Sequence, residues 1–243
     1  MAIGKLPSNL GKSRPMTDIP ALTLPPGTSD HEEVYQRLRA AIMIGVFAPD
    51  TTLTLRGLSD ALGCSQTPVR EAVRRLSSEH AIEVLENRRM RIPAMTPQRF
   101  EEILSLRITV EVYAARRALP YVSEIAIADM AELDRACDAA IAAGDQTGLT
   151  VNNQAFHRRL YTVNPHQTAM PVIESIWLQL GPFQRQVVDQ GLKYYVQDRH
   201  RQILDALRRR DSAALGDATL ADITDGIAIS GRRFLSRSAA PAG

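Results

Sequence analysis

The sequence predicts a mainly α-helical protein in two parts, a small N-terminal domain of three helices and a β-hairpin followed by a larger all-α helical bundle. Apolar residues recur at helical spacing from Asp30 onward, two short β-prone runs occur between residues 82 and 92, and β-prone character disappears after Pro97. The 243 residues are 44% hydrophobic and 23% charged, which suits a globular protein and excludes a wholly disordered or collagen-like one.

Cysteine usage and the length of the apolar runs indicate a reducing, aqueous compartment. Cys64 and Cys137 lie far apart without CxxC spacing, so they form neither a disulfide framework nor a zinc knuckle. No apolar run approaches the roughly 20 residues of a membrane helix, and the N-terminus lacks the apolar core of a secretory signal. We therefore expect a cytoplasmic protein with no membrane partner.

The net charge of +2 arises in the N-terminal part of the chain. Residues 1–95 carry 12 Lys and Arg against 10 Asp and Glu, whereas residues 96–243 carry 17 of each kind. So slight an excess does not by itself indicate a nucleic-acid partner, because that argument needs basic residues clustered on one face. Whether the protein binds nucleic acid must therefore be judged from the positions of its arginines.

Residues 1–29 are expected to form a flexible arm, because they contain five prolines and three glycines without an apolar period. The first helix is predicted to begin at Asp30, where Asp30 and Glu33 have the spacing of a capping box, and to run to about Gly45. Its inward face consists of Val34, Leu38, Ala41 and Ile42.

Two shorter helices follow the first. One covers residues 55–62 and ends at Gly63, which suits a left-handed cap. Ser65 is predicted to cap the next helix through its hydroxyl, and Pro68 is tolerated in the first turn. The apolar stripe of this third helix consists of Val69, Ala72, Val73 and Leu76.

A β-hairpin is predicted after the third helix. Residues 82–85 and 90–92 are β-prone, and residues 86–89 join them through a polar, basic tip. The order of helix, helix, tight turn, helix and hairpin is typical of a winged helix-turn-helix, which we assign to residues 30–95.

Residues 96–235 are predicted to form an all-helical domain and residues 236–243 a frayed tail. Helical periods cover residues 98–119, 124–143, 147–163, 169–180, 183–195, 198–210 and 212–235. The breaks between them fall at Pro120, Gly144-Asp145, Asn164-Pro165, Gly181-Pro182 and Asp211.

The third helix has the features of a DNA-recognition helix, with an apolar stripe on one face and four polar side chains on the other: Gln66, Thr67, Arg70 and Arg74. Arginine can donate two parallel hydrogen bonds to guanine in the major groove. Ser65 and Thr67 are better suited to phosphate oxygens at the helix N-terminus.

Two neighbouring elements add basic residues to this helix. Arg88 and Arg89 at the hairpin tip are within reach of a minor groove or the DNA backbone, and Arg56 opens the second helix where it would meet a phosphate. For a single helix, an arginine-bearing face is more often simply solvated. The convergence of three elements favours DNA.

Residues 58–76 closely resemble the winged-helix module of the GntR family of bacterial transcription regulators, and the stretch Thr67-Pro68-Val69-Arg70-Glu71-Ala72 carries the resemblance. The resemblance implies operator contacts from Arg56, Ser65, Gln66, Thr67 and Arg70, with Asn87 and Arg88 at the tip of the wing. The sequence departs from the family pattern twice, because Asp50 and Arg89 stand where glycine is common.

A possible metal site is distributed over three predicted helices. Asn153 and His157 are four residues apart and share a helix face, His200 begins a later helix, and Asp222 lies within the last. These donors suit Zn²⁺, Ni²⁺, Mn²⁺ or Fe²⁺. Spacing alone is weak evidence: histidines on partly apolar helices more often make a hydrogen bond than bind a metal, and residue chemistry alone favours the hydrogen bond.

Residues 99–233 resemble the all-helical FCD effector domain of FadR-type GntR regulators. The matching motifs are Leu106-Arg107-x-x-x-Glu111, Asn153-x-x-Phe156-His157, and the segment from His200 to Asp211. Many FCD domains coordinate a divalent metal through one Asp and three His, and the resemblance places such a metal at Asn153, His157, His200 and Asp222. The family's Asp position is Asn153 here, and its third His position is Asp222.

Arg107 is expected to face inward, where an unpaired cation is costly. One interpretation is a structural ion pair with Glu111, four residues further along the same helix. The other is that Arg107 and the metal together bind the carboxylate of a small organic acid. The residue pattern leaves both open.

The sequence thus predicts a ligand-responsive, sequence-specific DNA-binding regulator that acts as a homodimer on an inverted-repeat operator, with repression the commoner outcome in the family. The alternative is a metal-dependent enzyme using His157, His200 and Asp222 on a small carboxylate substrate, but the sequence shows no nucleophile–base pair and no Gly-rich phosphate loop. A purely structural helical adaptor would leave Arg70 without a role.

Overall fold

The computed structural model describes residues 19–86, 89–189 and 199–239. It confirms a mainly α-helical protein with a small antiparallel sheet in its N-terminal part. The described residues form two compact units. Unit 1 consists of the described residues within 1–95 and 177–190, and unit 2 consists of those within 96–176 and 191–243. The domain limits at residues 95 and 235 stay predictions.

Unit 1 contains the three predicted helices, α1 (Asp30–Met43), α2 (Leu55–Leu62) and α3 (Gln66–Ser78). The apolar stripe of α3 packs on α1 and α2, as its spacing predicted. Gly63 has the left-handed backbone expected of a C-terminal cap, with φ of 68°.

Two of the predicted N-caps are wrong in detail. The cap of α1 is Ser29 and not Asp30: the Glu32 backbone N–H donates to the Ser29 hydroxyl, 3.3 Å away. Ser65 occupies the N-cap position of α3, but its hydroxyl makes no capping hydrogen bond. In both cases residue preferences predict where the helix starts, but not which side chain makes the capping hydrogen bond.

The hairpin is part of a three-stranded sheet with order β1-β3-β2: β1 (Thr52–Leu53), β2 (Glu83–Val84) and β3 (Met90–Arg91). The strand β3 pairs antiparallel with both neighbours, so that Met90 faces Leu53 on one side and Val84 on the other. The sequence did not predict β1, because two residues show no periodicity.

Unit 2 contains α4 (Pro97–Ala118), α5 (Glu124–Ala143), α6 (Gln146–Thr162), α8 (His200–Arg208), α9 (Ser212–Ile223) and α10 (Ile229–Ala239). A 3₁₀ turn, Leu119–Tyr121, follows α4. In unit 2, α5 packs on α6, and α9 packs on both α4 and α8.

The predicted break at Gly181-Pro182 is wrong. One helix, α7 (Met170–Asp189), runs through it, and its residues from Trp177 onward belong to unit 1. Proline removes one hydrogen bond from a helix interior, but Leu178, Leu180 and Phe183 are all fully buried on either side of it. Burial of this apolar surface holds the helix together.

The predicted last helix, residues 212–235, is also divided differently. A π turn, Thr224–Ala228, separates α9 from α10, and α10 continues four residues into the predicted tail. Within the described ranges, no helix combines the length and the apolar character needed to span a bilayer.

Candidate nucleic-acid interface and metal centre

The two faces of α3 differ sharply. Val69, Ala72, Val73 and Leu76 are buried, with at most 5% of their surface exposed. The opposite face carries the four predicted polar side chains, all of them exposed: Gln66, Thr67, Arg70 and Arg74. The apolar stripe of α3 therefore packs in the core of unit 1, and the polar side chains of the opposite face lie in solvent.

Two arginines on this face have different surroundings. The Arg74 guanidinium donates to both oxygens of Glu71, at 2.5 Å through Nη2 and 3.2 Å through Nε. Arg70 makes no hydrogen bond or ion pair with the residues that the structure describes. Arg70 is thus the arginine whose donors are available to a partner.

The other predicted contact residues surround α3. Arg56 at the start of α2 is exposed, and its Nε lies 3.9 Å from Asp60 Oδ2, which is a weak pair in solvent. Ser65 and Arg89 are also exposed. Asn87 and Arg88 lie outside the described residues.

A polar cluster that the sequence did not predict holds α3 on α1. Arg75 lies over the Tyr35 ring, 3.4 Å from its centroid, and its Nη1 is 2.6 Å from Glu32 Oε2. The Tyr35 hydroxyl donates to Glu79 Oε1 at 2.5 Å, and Arg39 pairs with the other Glu79 oxygen. Burial, together with the bond to Glu79, raises the pKa of Tyr35 to about 12.

The four predicted metal donors come together in unit 2. Asn153 and His157 lie on α6, His200 is the first residue of α8, and Asp222 is near the end of α9. Each is at most 4% exposed. One potential ligand atom each from His157, His200 and Asp222 lies within 4.8 Å of the others.

Buried polar atoms at this centre lack partners. His157 Nε2 is 3.0 Å from Asp222 Oδ2 but not aligned as a hydrogen bond, and neither Nε2 nor Asp222 Oδ1 has a hydrogen-bond partner among the described residues. Asn153 Nδ2 is 3.1 Å from His200 Nε2, and turning the amide by 180° would bring its oxygen to that point. The convergence of these buried ligand atoms, with His157 Nε2 and Asp222 Oδ1 unsatisfied among the described residues, fits a metal ion.

The charge state of Asp222 also fits a metal ligand. Burial raises the pKa of this carboxyl, but its interactions with His157, His200 and Arg107 outweigh burial and leave the pKa below its ordinary value. The largest opposing influence is His157, followed by His200 and Arg107. Asp222 therefore stays ionised and able to ligate a cation.

His200 is oriented by two side chains. Its Nδ1 lies 2.9 Å from Asp134 Oδ1, and its ring stacks on Phe156 with a centroid distance of 3.9 Å. A carboxylate only accepts, so Nδ1 carries a proton and Nε2 is the ring nitrogen that faces the centre. No local sequence pattern indicated Asp134, which lies 66 positions earlier on α5.

A second buried chain of hydrogen bonds reaches His157. Arg107 Nε donates to Glu111 Oε1 at 2.7 Å, so the ion pair considered from the sequence is present. The Tyr161 hydroxyl donates to Glu111 Oε2 at 2.8 Å and lies 3.3 Å from His157 Nδ1. Tyr161 was not predicted as a site residue, although its position four residues after His157 on the same helix face was a usable signal.

Comparison with known protein families accounts for most of the folded chain. Residues 30–92 match the model of the bacterial regulatory proteins of the gntR family, and residues 102–225 match the FCD domain model. The FCD match alone covers about half of the chain.

Relatives and one solved structure agree with this match. The HTH-type transcriptional regulator McbR of Escherichia coli is 29% identical over 154 residues, which are 62% of this chain and 68% of that protein. An HTH-type regulator of Agrobacterium vitis is 31% identical over 130 residues, 52% of this chain and 75% of that one. The solved E. coli McbR/YncC structure covers 85% of this chain and 99% of its own, with 24% identity and a TM-score of 0.78.

These domains and relatives are transcriptional regulators, which sets aside the enzyme alternative at His157, His200 and Asp222. The chain therefore belongs to the GntR family of bacterial regulatory proteins, carries an FCD domain, and is a transcriptional regulator and not an enzyme.

Proposed function

We propose that this regulator binds a specific double-stranded operator by inserting α3 into the major groove. The observation that carries the proposal is the outward face of α3, where Gln66, Thr67, Arg70 and Arg74 are exposed while the opposite face is buried. Arg70 would read guanine, and Ser65 and Thr67 would contact phosphates.

Arg56 at the start of α2 and residues Asn87, Arg88 and Arg89 of the wing would contribute further contacts. Arg56 would meet a phosphate, and the wing would reach a minor groove or the backbone. These contacts position the protein on the duplex and carry little sequence information of their own.

We further propose that the regulator acts as a homodimer on an inverted repeat and represses transcription by occupying its operator. A recognition helix of 13 residues with two-residue strands beside it buries too little surface for tight binding alone. Two copies related by a two-fold axis place one α3 in each half-site. Ligand binding would shift the population of DNA-competent dimers only if the ligand prefers one arrangement.

The DNA proposal is tested by Arg70→Ala. An operator selected from random duplexes should be an inverted repeat, and the variant should bind it about 1–3 kcal/mol more weakly because the paired hydrogen bonds to a base are lost. Binding to random DNA should fall less. Fluorescence anisotropy at fixed salt concentration measures both affinities.

Arg74→Ala is the matched control for this experiment. It removes an arginine from the next turn of the same face, but one already engaged by Glu71, and it should cost less than Arg70→Ala. If Arg70→Ala loses equal affinity for the operator and for random DNA, Arg70 contacts only phosphate. If its affinity for the operator is unchanged, α3 is not the element that recognises the operator sequence.

In unit 2 we propose a divalent metal held by Asn153, His157, His200 and Asp222. The two histidine Nε2 atoms and the Asp222 carboxylate are buried and converge, and Asn153 would turn its amide oxygen inward. Bound there, the metal would supply a Lewis-acidic point of attachment for an anionic ligand.

The proposed effector is a small organic acid whose carboxylate is bound by the metal and by Arg107. Arg107 is 5% exposed, and its guanidinium already pairs with Glu111 through Nε. Arginine has five N–H donors in a planar fork, so one guanidinium can bind two carboxylates. The ion pair and the ligand role are therefore compatible.

The metal and effector proposals share one test. The double variant His157→Ala with His200→Ala should purify without stoichiometric metal and should lose any thermal stabilisation that small carboxylic acids give the wild type. Metal analysis and a thermal-shift screen with and without chelator provide the readouts.

The control is His31→Ala with His166→Ala, which removes two exposed histidines. It should keep metal content and acid response. Full metal occupancy in the His157/His200 variant would refute the metal assignment, and acid stabilisation that survives both chelator and Arg107→Ala would refute the effector site.

A further inference from the structure

One side of α4 lies in solvent although it carries large apolar side chains. Leu106 is 57% exposed and Tyr113 is 55% exposed, and Val110 between them is partly exposed. The three residues are spaced by four and three positions, so they follow one another along a single face of the helix. The outer face of a surface helix is normally polar, and a contiguous apolar patch in solvent is typical of an interaction surface.

The opposite side of α4 already has its partners. Leu104 and Ala115 on that side are at most 1% exposed, and α4 packs on α6 and α9 within unit 2. The exposed residues, which we call the α4 stripe, are Leu106, Val110 and Tyr113. The α4 stripe therefore contributes little to the packing of unit 2 and is accessible to a partner.

Exposed residues of opposite charge flank the α4 stripe. Glu102 lies four residues before Leu106, and Arg117 lies four residues after Tyr113, so both share the helix face of the stripe. Glu102 Oε1 lies 3.5 Å from Gln98 Nε2. Neither Glu102 nor Arg117 has an ion-pair partner among the described residues. Along α4 this face is thus acidic, then apolar, then basic.

This order is complementary to itself when it is reversed. Consider two copies of α4 packed in opposite directions about a two-fold axis that passes between positions 109 and 110. Positions 106 and 113 are equally far from that axis, so Leu106 of one copy lies opposite the partner's Tyr113, and the two Val110 side chains meet near the axis. Positions 102 and 117 are also equally far from it, so each Glu102 lies opposite the partner's Arg117. An interface between identical copies has to match its own reversed pattern, whereas a different protein would need no such symmetry.

We propose that the α4 stripe, with Glu102 and Arg117 at its ends, is the surface through which two copies of this chain pair, with their α4 helices antiparallel across this axis. The inference rests on the homodimer of the proposed function, and it adds the surface and the register. Burial of Leu106 and Tyr113 from both copies supplies the apolar centre of the contact. The two ion pairs at its rim fix the direction and the register of the helices.

Reversal of the charges tests the register. Glu102→Arg places like charges opposite each other at both ends of the contact, and Arg117→Glu does the same with the opposite sign. Each variant should therefore raise the dimer dissociation constant about 10-fold or more. The double variant restores opposite charges and should return the dissociation constant close to the wild-type value. Sedimentation velocity of the full chain over a series of concentrations measures all four proteins.

Glu132→Arg is the matched control for the charge reversals. It makes the same change of charge at an exposed residue of α5, where Glu132 pairs with Arg135 of its own helix. Its dissociation constant should equal that of the wild type. If Glu102→Arg and Arg117→Glu dimerise as the control does, or if the double variant stays as weak as the single ones, the proposal is wrong.

Cysteine cross-linking tests the position of the axis. In antiparallel helices about 8–10 Å apart, position 110 of one copy lies within disulfide reach of the same position in the partner. Val110→Cys should therefore form a covalent dimer on oxidation with copper phenanthroline, whereas Ala139→Cys, an exposed position on α5, should not. The wild type, with Cys64 and Cys137, gives the background under the same oxidation. Equal cross-linking of Val110→Cys and Ala139→Cys would overturn the proposed axis.

The outcomes separate this inference from the proposed function. A wild type that stays monomeric with and without its selected operator would overturn the homodimer and this interface together. A wild type that dimerises, with unchanged affinity in both charge-reversal variants and no cross-link at position 110, would overturn the α4 surface alone. Far-UV circular dichroism checks the fold of each variant. If a charge-reversal variant does not fold, the cross-link of Val110→Cys decides.

Discussion

The buried charges of unit 2 do not balance by themselves. Among the described residues, the buried charged side chains are one arginine, Arg107, and three carboxylates, Glu111, Asp134 and Asp222. With the histidines counted as neutral, their net formal charge is −2. Leaving such charge without compensation in a protein interior is costly. Either two protons or one divalent cation would cancel it.

Geometry favours the cation over the protons. Two protons would charge His157 and His200, whose ring centroids are only 5.3 Å apart, and the two imidazolium ions would repel each other. A divalent ion puts the same charge between the donors and uses the lone pairs on both Nε2 atoms. This is the electrostatic reason for proposing a metal at this centre.

The sequence could supply the donors of this centre but not the groups that orient them. The pairs Asn153 with His157 and Arg107 with Glu111 have helical spacing and are visible along the chain. Asp134 reaches His200 from another helix, at a separation of 66 residues, and no local pattern marks such a contact. Helix-to-helix hydrogen bonds depend on packing, which periodicity does not specify.

At the scale of single elements, α3 is held on α1 by the cluster around Arg75. We expect Arg75→Ala to lower the free energy of unfolding by about 1–2 kcal/mol at pH 7, from the half-exposed ion pair with Glu32 and the stacking over Tyr35. Urea denaturation measures the loss. Arg74→Ala, which breaks an exposed pair in the adjacent position, should lose less.

This loss should depend on pH with a defined sign. The hydrogen bond from Arg75 and a second from Gln36 lower the pKa of Glu32 below its ordinary value of 4.5. A carboxyl whose pKa is depressed on folding adds stability above its unfolded-state pKa, and this stability disappears as pH falls through the folded pKa. The deficit of Arg75→Ala should therefore be complete at pH 6–7 and shrink below about pH 4.5. A deficit independent of pH would contradict the pairing with Glu32.

Elements whose limits are set by local chemistry could be predicted from the sequence. The bounds of α2 follow from apolar spacing, and its C-terminal cap follows from Gly63, which adopts the left-handed backbone conformation. The strand β1 could not be predicted, because only its pairing with β3 makes it a strand. The break expected at Pro182 is absent because the local preference of proline is weaker than the burial of its apolar neighbours.

At the scale of the whole molecule, unit 1 is built from two distant parts of the chain. Residues from Trp177 onward in α7 group with the first 95, and no sequence pattern indicates this pairing. Two glycines lie where these two parts of unit 1 approach each other closely. A Cβ at Gly45 would lie 2.2 Å from Arg185 Cβ, and one at Gly181 would lie 2.3 Å from the Met43 carbonyl oxygen.

This close approach predicts that Gly45→Ala destabilises unit 1 far more than Gly63→Ala. Both glycines have positive φ, 72° and 68°, so alanine costs each about 1–2 kcal/mol of backbone strain. A Cβ at Gly63 meets nothing within 4 Å, whereas one at Gly45 must push α7 away, which adds about 1–3 kcal/mol. Trp177, the single tryptophan, is buried in this part of α7, so its fluorescence during urea denaturation reports the difference. Equal losses in the two variants would mean that α7 does not pack on the end of α1.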